Sequence, residues 1–292
     1  VQTCALPIFC ADAALEAARV AERDIAAGRY RGPLHGLPFG VKDQVCTRGV
    51  RTTLGSRIYA DYVPDFDAAV IERLKNSGAI LIGKENLHEF GKGGTHDFPH
   101  GQPRNPWDIA RNPGSSSSGS GIATAAGLCA GSIGEDTGGS IRIPASFCGC
   151  VGLKPTFGKI SREGVMPLGP SQDHVGPMAS TVADTALLYR VMGGGFGSTE
   201  TSVDGLRIGL PENYFWEDLA PEVRFLCRGA VQVIAAVGAK PREMFTPDVA
   251  PLMEVARTTL LYEAARTLRQ HSTREEDFGA DVWSLLEQGM QI

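Results

Sequence analysis

Residues 67–82 read DAAVIERLKNSGAILI. Val70, Ile71 and Leu74 recur at helical spacing, Gly78 supplies a stop, and Ala79-Ile80-Leu81-Ile82 is a short apolar run of the kind that forms a buried strand. Upstream, GLPFGVKDQV at 36–45 reads as another strand, with apolar Leu37, Phe39 and Val41 preceding Lys42. Strand, helix and strand joined by short connections are the grammar of an α/β protein.

The same reading extends in both directions. Residues 12–27 form an alanine-rich surface helix that stops at Gly28. Residues 122–130 predict a helix, 132–135 a strand, 181–192 a helix and 193–205 a polar connector. A strand at 206–210 and helices at 220–237 and 252–270 follow, and 284–292 stop inside helical sequence. The chain begins at Val1, and no positive segment precedes the apolar run from Cys4 to Cys10, so residues 1–11 read as a ragged start rather than a signal peptide. Residues 12–292 are expected to be one domain, incomplete at its C-terminus.

Composition narrows the function classes. Lys plus Arg number 28 against 33 Asp plus Glu, a net charge of −5 with no basic tract, so a nucleic-acid footprint is missing. Hydrophobic residues make up 42% and charged residues 21%, which excludes a disordered chain. No run approaches the roughly 18 apolar residues of a membrane span. Seven scattered cysteines form no disulfide framework and point to a reducing, cytoplasmic setting. Cys148 and Cys150 lack a second pair at zinc spacing. Glycine is the outlier at 36 residues, which implies unusual backbone geometry somewhere.

Two glycine-rich stretches carry the chemistry. GSSSSGSG at 114–121 has the composition of a flexible linker, yet it runs directly into a small-residue apolar helix that must pack closely. It lacks the Gly-Lys-Ser/Thr ending of a phosphate loop. DTGGSIRIP at 136–144 places two glycines before Ser140, so the turn can aim successive N–H groups at one developing oxyanion. Ser140 is thus a candidate nucleophile, although Arg142 stands where a nucleophile elbow would have its last glycine. Its base is a histidine or a lysine. Lys42, inside an apolar strand, either snorkels to solvent or is buried, and burial favours the free amine that a base requires. His88, His96 and His100 have spacings that invite a metal reading, but Pro99 and Gly101 spoil the helix it needs. Trp107 reads as a packing anchor.

In order along the chain, GVKD at 40–43, NPWD at 105–108, the Ser/Gly run, GEDTGGSIRIPA at 134–145 and GLKPT at 152–156 resemble the amidase signature family, with a thinner match through DHVGP at 173–177. The resemblance covers about residues 30–195. It implies an α/β fold with a mixed β-sheet core covered by helices on both faces. It also implies Ser140 as nucleophile, Ser116 as a bridging serine held by a cis peptide bond, and Lys42 as base. The N–H groups of Thr137, Gly138, Gly139 and Ser140 would form an oxyanion hole. No cofactor or metal is implied. Asp136 and Arg142 are expected to support the turn. Two departures stand out: Ser115 and Ser118 occupy places that are commonly glycine, and Glu135 occupies one that is usually threonine, where it either alters the turn's electrostatics or faces solvent.

The resemblance implies an amidase that hydrolyses a carboxamide through an acyl-enzyme. The alternatives are the A chain of a glutamyl-tRNA amidotransferase, against which His88 weighs because that protein more often has aspartate there, and a catalytically inactive fragment. The expected partner is a small-molecule amide substrate, without direct nucleic-acid contact or a membrane, and a homodimer is left open.

Overall fold

The computed structural model describes residues 4–92, 98–195 and 202–292. Two compact units divide it, residues 1–197 with 259–292 and residues 198–258. The first unit holds strands β1 (Ile8–Phe9), β2 (Pro38–Lys42), β3 (Ile80–Glu85), β4 (Gly131–Asp136), β5 (Val151–Gly152) and β6 (His174–Ala179). Its helices are α1 (Ala11–Ala26), α2 (Ala69–Asn76), α3 (Ser118–Ala125), α4 (Arg142–Cys148) and α5 (Val182–Tyr189). In the second unit, β7 (Arg207–Pro211), α6 (Pro221–Ala236) and β8 (Lys240–Met244) form a parallel βαβ unit. Two further helices are α7 (Ala250–Leu268) and α8 (Ala280–Met290).

The six strands lie in the order β1-β3-β2-β4-β6-β5. β2 is central and pairs in parallel with both β3 and β4, whereas β1, β5 and β6 join antiparallel. The sheet is therefore mixed, as expected. One face buries Phe39, Val41, Ile133 and Val175 against Val70, Ile71 and Leu74 of α2 and Leu188 of α5. On the other face, Ile122 and Ala123 of α3 pack with Ala5, Cys129 and Cys148. A helix on each face is what a fully buried central strand demands, and β2 delivers Lys42 at its carboxyl end, where parallel strands open toward a site. A third cluster joins Leu54, Ile58 and Phe90 to Ala264 and Leu268 of α7 and Val282 and Leu286 of α8.

The expected helix at 122–130 begins earlier, at Ser118, inside the Ser/Gly run. Serine and glycine are poor helix formers, so packing decides here. A Cβ on Gly119 would lie 2.2 Å from the Asn86 nitrogen and 2.5 Å from the Ala5 carbonyl, so only glycine lets α3 approach the end of β3 this closely. α4 went unmarked in the sequence. Pro144 falls in its first turn, where proline is tolerated, and Gly149 ends it at φ 71°.

Gly119→Ala should gain about 1 kcal/mol of helix propensity but lose on the order of 1–3 kcal/mol through overpacking against backbone atoms. Net destabilisation in a urea unfolding curve is the expected outcome; a higher midpoint than the wild type would show that α3 can move away from Asn86.

Candidate active site

Lys42 is fully buried. Its Nζ lies 2.8 Å from Ser116 Oγ, 3.2 Å from the Glu135 carbonyl and 2.7 Å from Glu135 Oε2. The Ser115–Ser116 peptide bond is cis. Lys42 therefore does not snorkel, and the lysine and serine singled out from separate motifs meet across the end of the sheet. Beyond Lys42, Asp43 Oδ2 accepts from the Thr53 N–H at 2.9 Å and hydroxyl at 2.5 Å, and Oδ1 lies 3.5 Å from Lys84 Nζ. Burial pushes the Asp43 carboxyl up and the Lys84 amine down, each opposed by the other's charge. This second buried pair fixes the backbone just past Lys42.

The Ser/Gly loop and the second turn are tied directly. The Ser117 N–H donates to the Ser140 carbonyl at 3.2 Å, and Ser117 Oγ donates to the Glu135 carbonyl at 3.0 Å. Gly114 brings the loop against α4: a Cβ there would lie 2.6 Å from the Pro144 Cα, and its φ is 87°. Ser115 and Ser118 are not among the described non-glycine residues with positive φ, so the serines at these places impose no left-handed backbone.

Asp136 organises the turn that carries Ser140. Its carboxylate accepts from Gly139 N–H at 2.7 Å and Ile141 N–H at 3.0 Å, and from Arg142 Nε and a terminal nitrogen, both at 3.0 Å. Burial alone would raise this carboxyl, but Arg142 and the two N–H groups together hold it below the usual aspartate range. Asp136 and Arg142 thus support the turn as expected. The Gly139 N–H is engaged by Asp136, whereas those of Gly138 and Ser140 donate to no acceptor among the described residues. Thr137 is held through its hydroxyl, 2.7 Å from Glu135 Oε1 and 2.7 Å from Asp173 Oδ1.

Glu135 is the residue whose part the sequence did not assign. It faces Lys42 rather than solvent and is fully buried. Its signal was present, a carboxylate where the family usually has threonine, but position alone could not say which way it points. Trp107 corrects another expectation: it is 74% exposed, and it anchors its loop by donating from the indole nitrogen to the Cys148 carbonyl at 2.6 Å rather than by packing. His88 stacks edge-on against Phe98, and its backbone N–H donates to the Ser116 carbonyl at 3.2 Å. His96 lies outside the described residues. All seven cysteines are free. No helix among the described residues is long and apolar enough to cross a membrane.

The family model described as amidase matches residues 2–290. A curated relative from Chloroflexus aurantiacus, named as the A chain of a glutamyl-tRNA(Gln) amidotransferase, is 42% identical over 95% of this chain, which spans 61% of that relative's length. Among solved structures, one described as a crystal structure of amidase superposes with a TM-score of 0.92 at 36% identity, covering 99% of this chain and 67% of that one. The native peptide amidase of Stenotrophomonas maltophilia gives a TM-score of 0.84 at 31% identity, covering 98% and 68%.

Because the folded Asp136 carboxyl titrates below its unfolded value of about 3.8, its charge contributes stability above that value and loses it as pH falls through the folded one. Asp136→Asn should be less stable than the wild type at about pH 6, and the gap in urea midpoints should narrow toward about pH 3. An unchanged gap would mean that the carboxylate acts by shape and not by charge.

Proposed function

The chain belongs to the amidase family, and on that footing we propose that it is the catalytic part of an amidase that hydrolyses a carboxamide C–N bond through a Ser140 acyl-enzyme. The observation that carries this reading is the 2.8 Å contact of the buried Lys42 Nζ with Ser116 Oγ. A neutral amine has two hydrogens and one lone pair. With the two hydrogens on the Glu135 carbonyl and carboxylate, the lone pair faces Ser116, which is the arrangement of a base.

In the proposed sequence, Ser140 Oγ attacks the amide carbon and gives its proton to Ser116, whose own proton passes to Lys42. The oxyanion is held by the turn at 137–140, with the N–H groups of Gly138 and Ser140 open to it and that of Gly139 engaged by Asp136. As the C–N bond breaks, the proton returns through Ser116 to the leaving amine. Water then attacks the acyl-enzyme by the same relay and releases the carboxylate.

A second reading is supported by the name of the Chloroflexus relative. It makes this chain part of an amidotransferase, with the same relay freeing ammonia from glutamine. Glutamine is then the amide substrate and partner subunits replace a second copy as the expected company, and the weight placed on His88 against this reading yields to 42% identity. The full-length protein separates the two: ammonia from simple or peptide amides without a partner supports the amidase, and glutamine turnover that requires partner subunits supports the amidotransferase. Failure of both, with the protein folded, supports an inactive scaffold.

Ser140→Ala should abolish labelling by a fluorophosphonate probe. Lys42→Met alone strands a buried carboxylate, at a cost of about 3–5 kcal/mol. Lys42→Met with Glu135→Gln should therefore fold, by circular dichroism, while labelling falls by about 10²–10⁴-fold. Labelling that survives either change overturns the assignment.

A further inference from the structure

Behind Lys42, the hydrogens do not add up if every carboxyl is ionised. The Thr137 hydroxyl lies 2.7 Å from Glu135 Oε1 and 2.7 Å from Asp173 Oδ1, and it has one hydrogen to give. For both contacts to be hydrogen bonds, one carboxyl must itself carry a proton and donate to Thr137 Oγ. We propose that Glu135 and Asp173 form a one-proton couple across Thr137, and that Glu135, held this way, is the positioning residue that keeps the Lys42 lone pair on Ser116. This rests on the Ser-Ser-Lys reading for its consequence in catalysis, though not for the couple itself.

The surroundings fit a shared proton. Glu135 and Asp173 are 0% and 4% exposed, so two adjacent negative charges there are poorly hydrated and costly. Glu135 Oε2 is committed to Lys42, which leaves Oε1 for Thr137. Asp173 Oδ2 accepts the Leu168 N–H at 2.9 Å, and the Gly169 N–H is shared between Oδ1 at 3.0 Å and Oδ2 at 3.1 Å; Oδ1 is the oxygen that faces Thr137, and a proton there leaves a lone pair for the Gly169 N–H. Burial first, and the Glu135 charge second, push the Asp173 carboxyl up to about 6.

The other charged groups nearby have their own partners or lie across open space. Arg162 and Glu163 share with the couple the lining of a cavity of about 500 Å³. The Glu263 carboxylate of α7 accepts from the Ser171 N–H at 3.0 Å. The His174 ring contacts the Gln172 carbonyl at 2.5 Å through Nδ1, and Asp136 is paired with Arg142. With one proton in the group, Asp173 donates to Thr137 and Thr137 donates to Glu135 Oε1, while Glu135 Oε2 accepts from Lys42, so every one of these contacts is a hydrogen bond.

A couple of this kind tolerates a permanently fixed hydrogen at either end but not at both. In Asp173→Asn the amide N–H replaces the carboxyl proton. In Glu135→Gln the amide N–H points at Thr137, whose hydroxyl then donates to Asp173. Each single variant should slow fluorophosphonate labelling of Ser140 in the full-length protein by less than about tenfold. In the double variant, the amide at position 173 donates to Thr137, and Thr137 donates to the amide oxygen at position 135. That turns the amide hydrogens at position 135 onto the lone pair that Lys42 needs. Labelling of the double variant should fall about tenfold further than the product of the single effects. Simple multiplication of the single effects would overturn the positioning role.

The couple can be read without activity. Infrared titration should show a protonated carboxyl band that appears as pH falls through about 6 in the wild type and is missing in the folded Asp173→Asn variant. Subtracting the two spectra removes the Glu85 carboxyl, which burial pushes up to about 7. Identical bands in both proteins would overturn the couple. If Ser140→Ala still labels, the relay reading falls instead, and the infrared result stands by itself.

Discussion

A lysine amine enclosed on every side at the end of a central strand is the constraint on which the rest of this site depends. Removing a charged or strongly polar nitrogen from water costs several kcal/mol unless its hydrogens and lone pair are all matched. Lys42 meets that condition with three partners: one serine oxygen, one backbone carbonyl and one carboxylate. Two of the three come from Glu135 at the end of β4, so the lysine is fixed by sheet pairing as much as by side chains. Because β2 and β4 run parallel and in register through Val41 and Ile133, the partner arrives at the right height without a loop having to reach it.

The two glycine-rich turns are held to this lysine by struts rather than by their own rigidity. Ser117 bonds the Glu135 carbonyl on one side and the Ser140 carbonyl on the other, which joins Ser116, Lys42 and Ser140 in a few bonds. Asp136 performs the corresponding service for the second turn, collecting the backbone N–H groups of Gly139, Ile141 and Arg142 and the Arg142 guanidinium. Each strut is a buried hydroxyl or carboxylate that makes several hydrogen bonds at once. Such networks are stable when complete and costly when broken, which favours one geometry over nearby alternatives.

Much of the fold is legible because periodicity and punctuation are local. The α2 helix and its glycine stop, the strand that carries Lys42, and β4 are all visible in the residues themselves. So are the two turns, because the Ser/Gly run leads straight into a small-residue apolar helix and two glycines directly precede Ser140. α4 is harder, since its Pro144 reads as a breaker until its place in the first turn is known. The start of α3 escapes a local reading because Ser118 and Gly119 are poor helix formers, and only their packing against Asn86 and Ala5 makes a helix of them. Trp107 has the size of a core anchor, whereas it holds by a single indole hydrogen bond and stays exposed.

The sequence by itself determined the α/β class, the family resemblance and the identities of Lys42, Ser116 and Ser140 as candidates, because those depend on residue type, order and short-range spacing. Tertiary structure decided who touches whom. Lys42 and Ser116 are 74 positions apart, and Lys42 and Glu135 are 93 apart, so their contacts are set by strand order and by the turn of β4, neither of which leaves a local pattern. Glu135 is the clearest case: its side chain meets either solvent or the lysine depending on how the end of β4 is oriented, and only the closed sheet fixes that choice.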